Sequence, residues 1–396
     1  MTKSPIFIKN EGATLNVEIK EEIGMPATKG LEGVVAATSA ISSIVNSVLR
    51  YKGYNIDDLA NYATFEEVVY LLWNDKLPNK EELAAFKKEL ASEYAIPNEL
   101  IEQIKSYPLK NVHPMAILRT AVSALGLFDS EADDMSDEAN KRKALRLQAK
   151  VPTIVAAFTR LRDGKEVVAP RQDLGVAANF LYMLFDREPN EVEVKAFDKA
   201  LILHADHEFN ASTFTARVAV GTLSDIYSGI TAAICALKGP LHGGANERVM
   251  KMLSEIGSVD NVEAYINDKL EKKEKIMGFG HRVYKTGDPR AKHLKEMSRQ
   301  LTQITGEPKW YEMSEKIEEL VSSKKGLLPN VDFYSASVYH SLGIPHDIFT
   351  PVFAVSRVSG WLAHILEQYS DNRLIRPRAE YVGPEAREYV KLEDRN

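Results

Sequence analysis

The chain has 396 residues, a formal net charge of -6, 27% charged side chains and one cysteine. That length holds two or three domains' worth of core and a cleft between lobes. The acidic balance excludes a general binder of nucleic acid or anionic membrane, and a single cysteine excludes a disulfide framework and fits a reducing compartment.

The first 22 residues alternate Ile6, Ile8, Leu15, Val17 and Ile19 with polar side chains and carry four glutamates and no arginine. This predicts short β-strands, excludes a secretory apolar segment or an arginine-rich transit peptide, and makes the cytoplasm the expected address. After the turn-rich residues 24–33 the periodicity becomes helical. Thr64-Phe65-Glu66-Glu67 has the spacing of a capping box and opens a helix that stops before Pro78. Asn79 caps a helix over 80–94, a third follows Pro97, and Pro114 starts a fourth reaching about Phe128. The acidic connection 129–137 leads to a pattern over 138–162 that Pro152 is expected to break, with Lys141, Arg142, Lys143, Arg146 and Lys150 on a solvated face. Further helices are predicted at 174–185, 191–205, 212–227, 229–237, 245–256, 262–273, 291–304, 308–322, 332–342 and 348–368. The chain therefore reads as all-α with a small β contribution at its N-terminus. No apolar run reaches the roughly 18 residues of a membrane span, because charges such as Arg217 and Lys238 interrupt the best candidates. Cys235 sits in an apolar run and reads as a packed core thiol.

Several short stretches carry residues suited to chemistry. Gly278 to Arg290 packs two glycines, His281, an Asp-Pro turn and several cations into a loop that runs into a helix start. Such a segment can hold a histidine and an arginine over one anion. It is not followed by the glycines of a dinucleotide fingerprint. His204 and His207 are spaced to share a helix face and to ligate a metal, but the stretch matches neither common zinc pattern, and a hydrogen-bonded interior histidine is the plainer reading. His242 lies among glycines just before a helix, where the positive dipole end disfavours imidazolium and suits a neutral hydrogen-bond donor. Asp332 stands at a helix start among apolar residues, either as an N-cap or as a general base toward a carbon acid. Arg290, Arg357 and Arg376 are far apart in sequence. If the fold gathers them they would grip a dicarboxylate, and otherwise they are surface cations.

Five ordered stretches resemble the citrate synthase family: Leu-His-Ala-Asp-His-Glu-x-Asn-Ala-Ser-Thr, Gly-Pro-Leu-His-Gly-Gly-Ala-Asn-Glu, Gly-Phe-Gly-His-Arg-Val-Tyr-Lys-x-Gly-Asp-Pro-Arg, Pro-Asn-Val-Asp-Phe-Tyr-Ser-Ala and Asn-Arg-Leu-Ile-Arg-Pro-Arg. The likeness is to the short dimeric form of Gram-positive bacteria and spans about residues 30–383. It implies a two-lobed helical fold, with a large domain from 1–240 and 344–396 and a small domain from 241–343. It also implies an obligate homodimer and an acyltransferase that condenses acetyl-CoA with oxaloacetate and hydrolyses citryl-CoA. By match to the family's motifs, Asp332 takes the methyl proton, His242 hydrogen-bonds the thioester oxygen and His281 protonates the ketone. His207, Arg290 and Arg357 would hold oxaloacetate, with Arg376 reaching in from the other subunit. Ile276, Met277, Gly278, Phe279, Gly280 and Lys285 match the CoA-binding loop.

The resemblance implies no metal and no permanently bound cofactor, with CoA as co-substrate, while charge and hydropathy lead to the expectation of neither nucleic acid nor membrane as partner. Residues 1–28 lie outside it and are too few for the extra β domain of the larger NADH-inhibited form, so no NADH regulation is expected. 2-Methylcitrate synthases, which use propionyl-CoA, share nearly all these motifs. One methylene is worth only about 1–3 kcal/mol, so acetyl and propionyl specificity both stay open.

Overall fold

The computed structural model describes residues 29–31 and 33–395. The strands expected in the first 22 residues lie outside that range. The chain divides into two units, Met1–Thr38 with Pro377–Asn396, and Ser39–Arg376. In the first, the described residues are mostly exposed and form no strand, with single helical turns at Lys29–Leu31 and Leu392–Asp394.

The second unit opens with an antiparallel sheet that periodicity alone did not reveal: β1 (Ser42–Val45), β2 (Val48–Tyr51) and β3 (Tyr54–Asn55) in the order β1-β2-β3. Val45 pairs with Val48, so Asn46 and Ser47 alone make the turn, both at positive φ (51° and 61°). That geometry matches the strand twist, but Asn-Ser is a weaker sequence signal for it than Asn-Gly. Helices follow: α1 (Ile56–Tyr62), α2 (Phe65–Asn74), α3 (Lys80–Ser92), α4 (Asn98–Lys105), α5 (Pro114–Leu125), α6 (Asp137–Arg162), α7 (Val176–Phe185) and α8 (Glu191–His204). Beyond them come α9 (Ala211–Val220), α10 (Ile226–Leu237), α11 (Ala245–Ile256), α12 (Val262–Glu271), α13 (Ala291–Ile304), α14 (Lys309–Lys325), α15 (Val331–Ser341) and α16 (Phe349–Ser370). The predicted capping box at α2 is formed, Thr64 and Glu67 satisfying each other's backbone N–H groups, and the predicted Asn79 cap of α3 is itself a box with Glu82.

Four expectations are corrected. Pro152 does not break α6, which runs unbroken through it with a wholly buried middle, so packing outweighs the missing N–H. Lys143 is not solvated: it is fully buried, and its Nζ donates to the carbonyls of Ala132 (3.0 Å) and Asp134 (2.6 Å), pinning the acidic connection. The helix predicted over 212–227 stops at Val220, because Gly221 ends it and Asp225 caps α10 by accepting from the Ser228 N–H. Cys235 is exposed, since α10 buries Ile230, Ala233, Ile234 and Leu237 and turns residue 235 outward.

α16 lies at the centre, packed on α2, α5, α6, α8, α9 and α10. With the turn before it (His346–Ser370) it is long and apolar enough to cross a membrane by composition, and 94% of its apolar window is buried in the protein's own core. α11, α13 and α14 pack around α15, with α12 on α14. The two groups of helices meet where α11 and α15 touch α16 and α8.

Candidate active site

A cleft of about 800 Å³ is lined by His207, His242, His281, Arg290, Asp332 and Arg357 together. Six residues spread over 150 positions of sequence thus converge on one space. Each is set there by a local device.

α8 ends at His204, and the chain leaves it through Asp206 and His207 before Asn210 caps α9 by accepting from the Thr213 N–H at 3.0 Å. The β-sheet clamps this turn. Asp206 is fully buried, accepts from Ser42 Oγ and sits 3.3 Å from His364 Nε2, while Tyr51 donates to its carbonyl at 3.0 Å. The Ile44 N–H donates to Glu208 Oε1 at 2.8 Å. His207 is thereby held buried, its Nε2 hydrogen-bonded to the Tyr284 hydroxyl at 3.0 Å and its ring 5.1 Å from that of His281. Burial and then Arg290 hold His207 well below the usual histidine range. His204, its expected helix-face partner, points elsewhere: its Nδ1 meets the Ala200 carbonyl at 2.7 Å and its ring packs on Phe353.

His242 occupies a tight turn between α10 and α11. A Cβ on Gly243 would fall 2.0 Å from the Leu237 carbonyl oxygen, so only glycine allows the turn. Arg248 Nη2 braces it from α11 through the carbonyls of Pro240 (3.0 Å) and Gly243 (3.2 Å). The Ser212 backbone N–H donates to His242 Nε2 at 3.3 Å, and Ser212 Oγ lies 2.7 Å from the same nitrogen while accepting from Trp361 Nε1. An N–H aimed at Nε2 leaves the proton of the neutral ring on Nδ1. Burial and Arg357 lower this histidine to about 4, so the ring is neutral at pH 7.

In His281 the assignment is reversed. Its Nδ1 accepts from the backbone N–H groups of Val283 (3.0 Å) and Tyr284 (3.2 Å), which places the proton on Nε2. Burial, then Arg290, brings it to about 4. The two histidines are thus neutral donors through opposite nitrogens.

Asp332 is not the N-cap of α15. That place belongs to Asn330, whose Oδ1 accepts from the Asp332 N–H at 3.0 Å and whose Nδ2 donates to the Gly280 carbonyl at 2.9 Å. The Asp332 carboxylate accepts no hydrogen bond among the described residues, and burial lifts it to about 6 against the pull of Arg290.

Two buried guanidinium groups complete the cleft. Arg290 donates through Nε (2.9 Å) and Nη2 (2.7 Å) to Asp288, which also accepts from the Val331 N–H at 3.0 Å and so ties the Arg290 loop to the start of α15. Burial works against this cation, and the Asp288 carboxylate outweighs it and holds the pKa above the usual value. Arg357 of α16 spends only Nε, on the His204 carbonyl at 2.7 Å, and burial pulls it down to about 10. A buried cation without a facing carboxylate is an anion site.

The structure leaves the other sequence candidates outside this space. Arg376 is exposed beyond the end of α16 and does not line the cleft. Ile276, Met277, Gly278, Phe279, Gly280 and Lys285 do not line it either. Their loop runs beside 328–330, with Gly280 N–H donating to Leu328 and Asn330 N–H to Gly278, each at 2.9 Å. A Cβ on Gly278 would meet Phe333 Cδ2 at 2.8 Å, so the loop lies directly on α15. Tyr284, Asp288, Ser212, Trp361 and Arg248 hold the site and were not singled out from sequence. Only Asp288, two residues before Arg290 in the Asp-Pro turn, carried a signal.

Fold and cleft together define a helical enzyme with acid–base groups around an anion site. The sequence model described as "Citrate synthase, C-terminal domain" matches residues 30–378. Citrate synthase 2 of Bacillus subtilis is 71% identical over 371 residues, covering 94% of this chain and 100% of that one. 2-Methylcitrate synthase 2 of Corynebacterium glutamicum is 45% identical, covering 93% and 97%. The citrate synthase of Thermoplasma acidophilum, solved as a ternary complex with carboxymethyl coenzyme A and oxaloacetate, superimposes with a TM-score of 0.86 at 38% identity, covering 92% of this chain and 98% of that one. The chain belongs to the citrate synthase family.

Proposed function

We propose that this protein condenses acetyl-CoA with oxaloacetate and hydrolyses the resulting citryl-CoA to citrate and CoA. The observation that carries this reading is that two neutral imidazole donors and an unpartnered carboxylate line one cleft. A thioester methyl gives up a proton only if the charge moves onto an oxygen that already faces a donor. Asp332 is the base and His242 Nδ1–H the donor to that oxygen. The enolate carbon attacks the ketone of oxaloacetate, and His281 Nε2–H supplies the proton to the oxygen that becomes an alcohol. Arg290 and Arg357 hold the two carboxylates, and His207 adds a polar contact. The 71% identity to a citrate synthase, against 45% to a 2-methylcitrate synthase, favours acetyl-CoA.

On the same reading α11–α15 (241–343) act as a small lobe and the rest of the helices (1–240 and 344–396) as a large one. Closure of the lobes on oxaloacetate keeps water out until the carbon–carbon bond has formed. The loop 276–280 and Lys285 receive CoA, which serves as co-substrate, with no bound cofactor or metal required. Two copies make the working unit, in the cytoplasm, and Arg376 completes the site of the other copy. The test is thiol release on mixing acetyl-CoA with oxaloacetate. The reading expects release with a higher kcat/KM for acetyl-CoA than for propionyl-CoA, and a clear propionyl preference overturns it.

A further inference from the structure

Two of the buried side-chain atoms without a hydrogen-bond partner among the described residues lie in residues that line the cleft, Asn246 Nδ2 and Thr350 Oγ1. Asn246 is 2% exposed and Thr350 is 3% exposed. The amide of Asn246 has a determined orientation, because its Oδ1 accepts from the Glu247 N–H at 2.9 Å and its NH2 is left over. Thr350 lies against the His242 turn. Its Cγ2 is 3.1 Å and its Oγ1 3.7 Å from where a Cβ would stand on Gly243 and Gly244 respectively. The two residues occupy the second positions of α11 and α16, where the first-turn N–H groups add positive potential.

A buried amide donor and a buried hydroxyl left unsatisfied are costly unless something with lone pairs joins them. None of the steps assigned to Asp332, His242 and His281 uses them. The condensed thioester must still be cleaved by water, beside the same carbonyl that His242 faces. We infer that Asn246 Nδ2 and Thr350 Oγ1 position the water that hydrolyses the thioester, an inference that rests on the condensation proposed above. The amide donates to the water oxygen and the hydroxyl accepts one of its protons, which are two of the two to four polar partners an ordered water needs. The water oxygen adds to the thioester carbonyl carbon and the carbon–sulfur bond breaks. Sulfur leaves with its electron pair and takes one water proton as the free thiol, and the new carboxylic acid releases the other to solvent. These two side chains are positioning residues for the second half of the reaction.

The test supplies citryl-CoA to the wild-type protein and to the variants Asn246→Ala, Thr350→Val and Thr350→Ser. It reads thiol release against reversal to acetyl-CoA and oxaloacetate. Asn246→Ala and Thr350→Val are expected to lower hydrolysis relative to reversal by roughly tenfold or more, the scale of a lost positioned donor. Thr350→Ser keeps the hydroxyl and is expected to retain the wild-type partition within about threefold, because only the methyl is lost. If Asn246→Ala does not fold, the isosteric Asn246→Asp takes its place with the same expected loss. An unchanged partition in both deletion variants overturns the inference, as does a Thr350→Ser partition as poor as that of Thr350→Val. A wild-type protein that neither hydrolyses nor reverses citryl-CoA overturns the function proposed above, and this inference with it.

Discussion

Asp332 sits one residue inside a helix whose cap has been given to Asn330, and its carboxylate faces the cleft with nothing of the fold to hold it. Burial raises it to about 6, so it is the ionised base above that pH and a neutral acid below it. The acid limb of kcat/KM is therefore expected near pH 6, with the loss appearing as pH falls; a limb near pH 4, the ordinary carboxylate value, contradicts the assignment. The same group costs stability. A carboxyl with a folded pKa above its unfolded value favours the native state below the unfolded pKa, and this is lost as pH rises through the folded one. Replacing Asp332 with neutral Asn should then raise Tm at pH 7.5 by the equivalent of about 1–3 kcal/mol and change little at pH 4. Calorimetric melts at the two pH values check this. The candidate residues stood out in sequence because glycine, proline and small residues crowd around them, and their roles came from the family resemblance. Their supports did not, because each holds a residue far from it in sequence: Tyr284 meets His207, Ser212 meets His242, and Trp361 meets Ser212.

At the scale of elements, helix starts were easier to read than helix ends. Thr64, Asn79 and Pro114 announce themselves by capping chemistry confined to four residues. The end of α9 depends on packing as well as on Gly221 and the Asp225 cap, and the unbroken α6 depends on packing. Gly229 of α10 crosses so near α9 that a Cβ would lie 2.5 Å from Val220 Cγ1, and the middle of α6 is buried. The β1–β2 hairpin escaped notice for want of a glycine in its turn. The turn that carries His242 gives an element-scale prediction. Gly243→Ala places a methyl against the Leu237 carbonyl and must push the His242 loop aside. Condensation is expected to fall by roughly 10²-fold or more, as a displacement of about 1 Å can cost that much. Circular dichroism should show helix content unchanged, and wild-type activity in this variant would contradict the role given to the turn.

For the whole molecule, the proposed pairing of two copies rests on Arg376. Arg376 is exposed and outside the cleft of its own chain, yet it stands in one of the five family stretches. If it completes the other copy's site, inactive Arg376→Ala and Asp332→Ala subunits should regain activity when mixed, since one site of the mixed dimer then holds both residues. No recovery after verified subunit exchange contradicts the shared site. The buried histidines set the acid limit of the fold. His204, His207, His242 and His281 all have folded pKa values below the ordinary one, so between pH 6.5 and about 4 the unfolded chain binds protons that the folded chain does not. Stability is expected to fall as pH drops through that window, and a Tm independent of pH there would contradict their neutral burial.

On the proposed mechanism Asp332 removes the methyl proton, while Arg290, Arg357 and His207 hold the keto acid without it. The most direct measurement takes one preparation of Asp332→Asn and determines both its affinity for oxaloacetate by calorimetry and its single-turnover rate of carbon–carbon bond formation with acetyl-CoA. A Kd within about threefold of wild type is expected, with a rate lower by roughly 10²–10⁴-fold, the usual range for loss of a general base. A rate within about tenfold of wild type would contradict the mechanism.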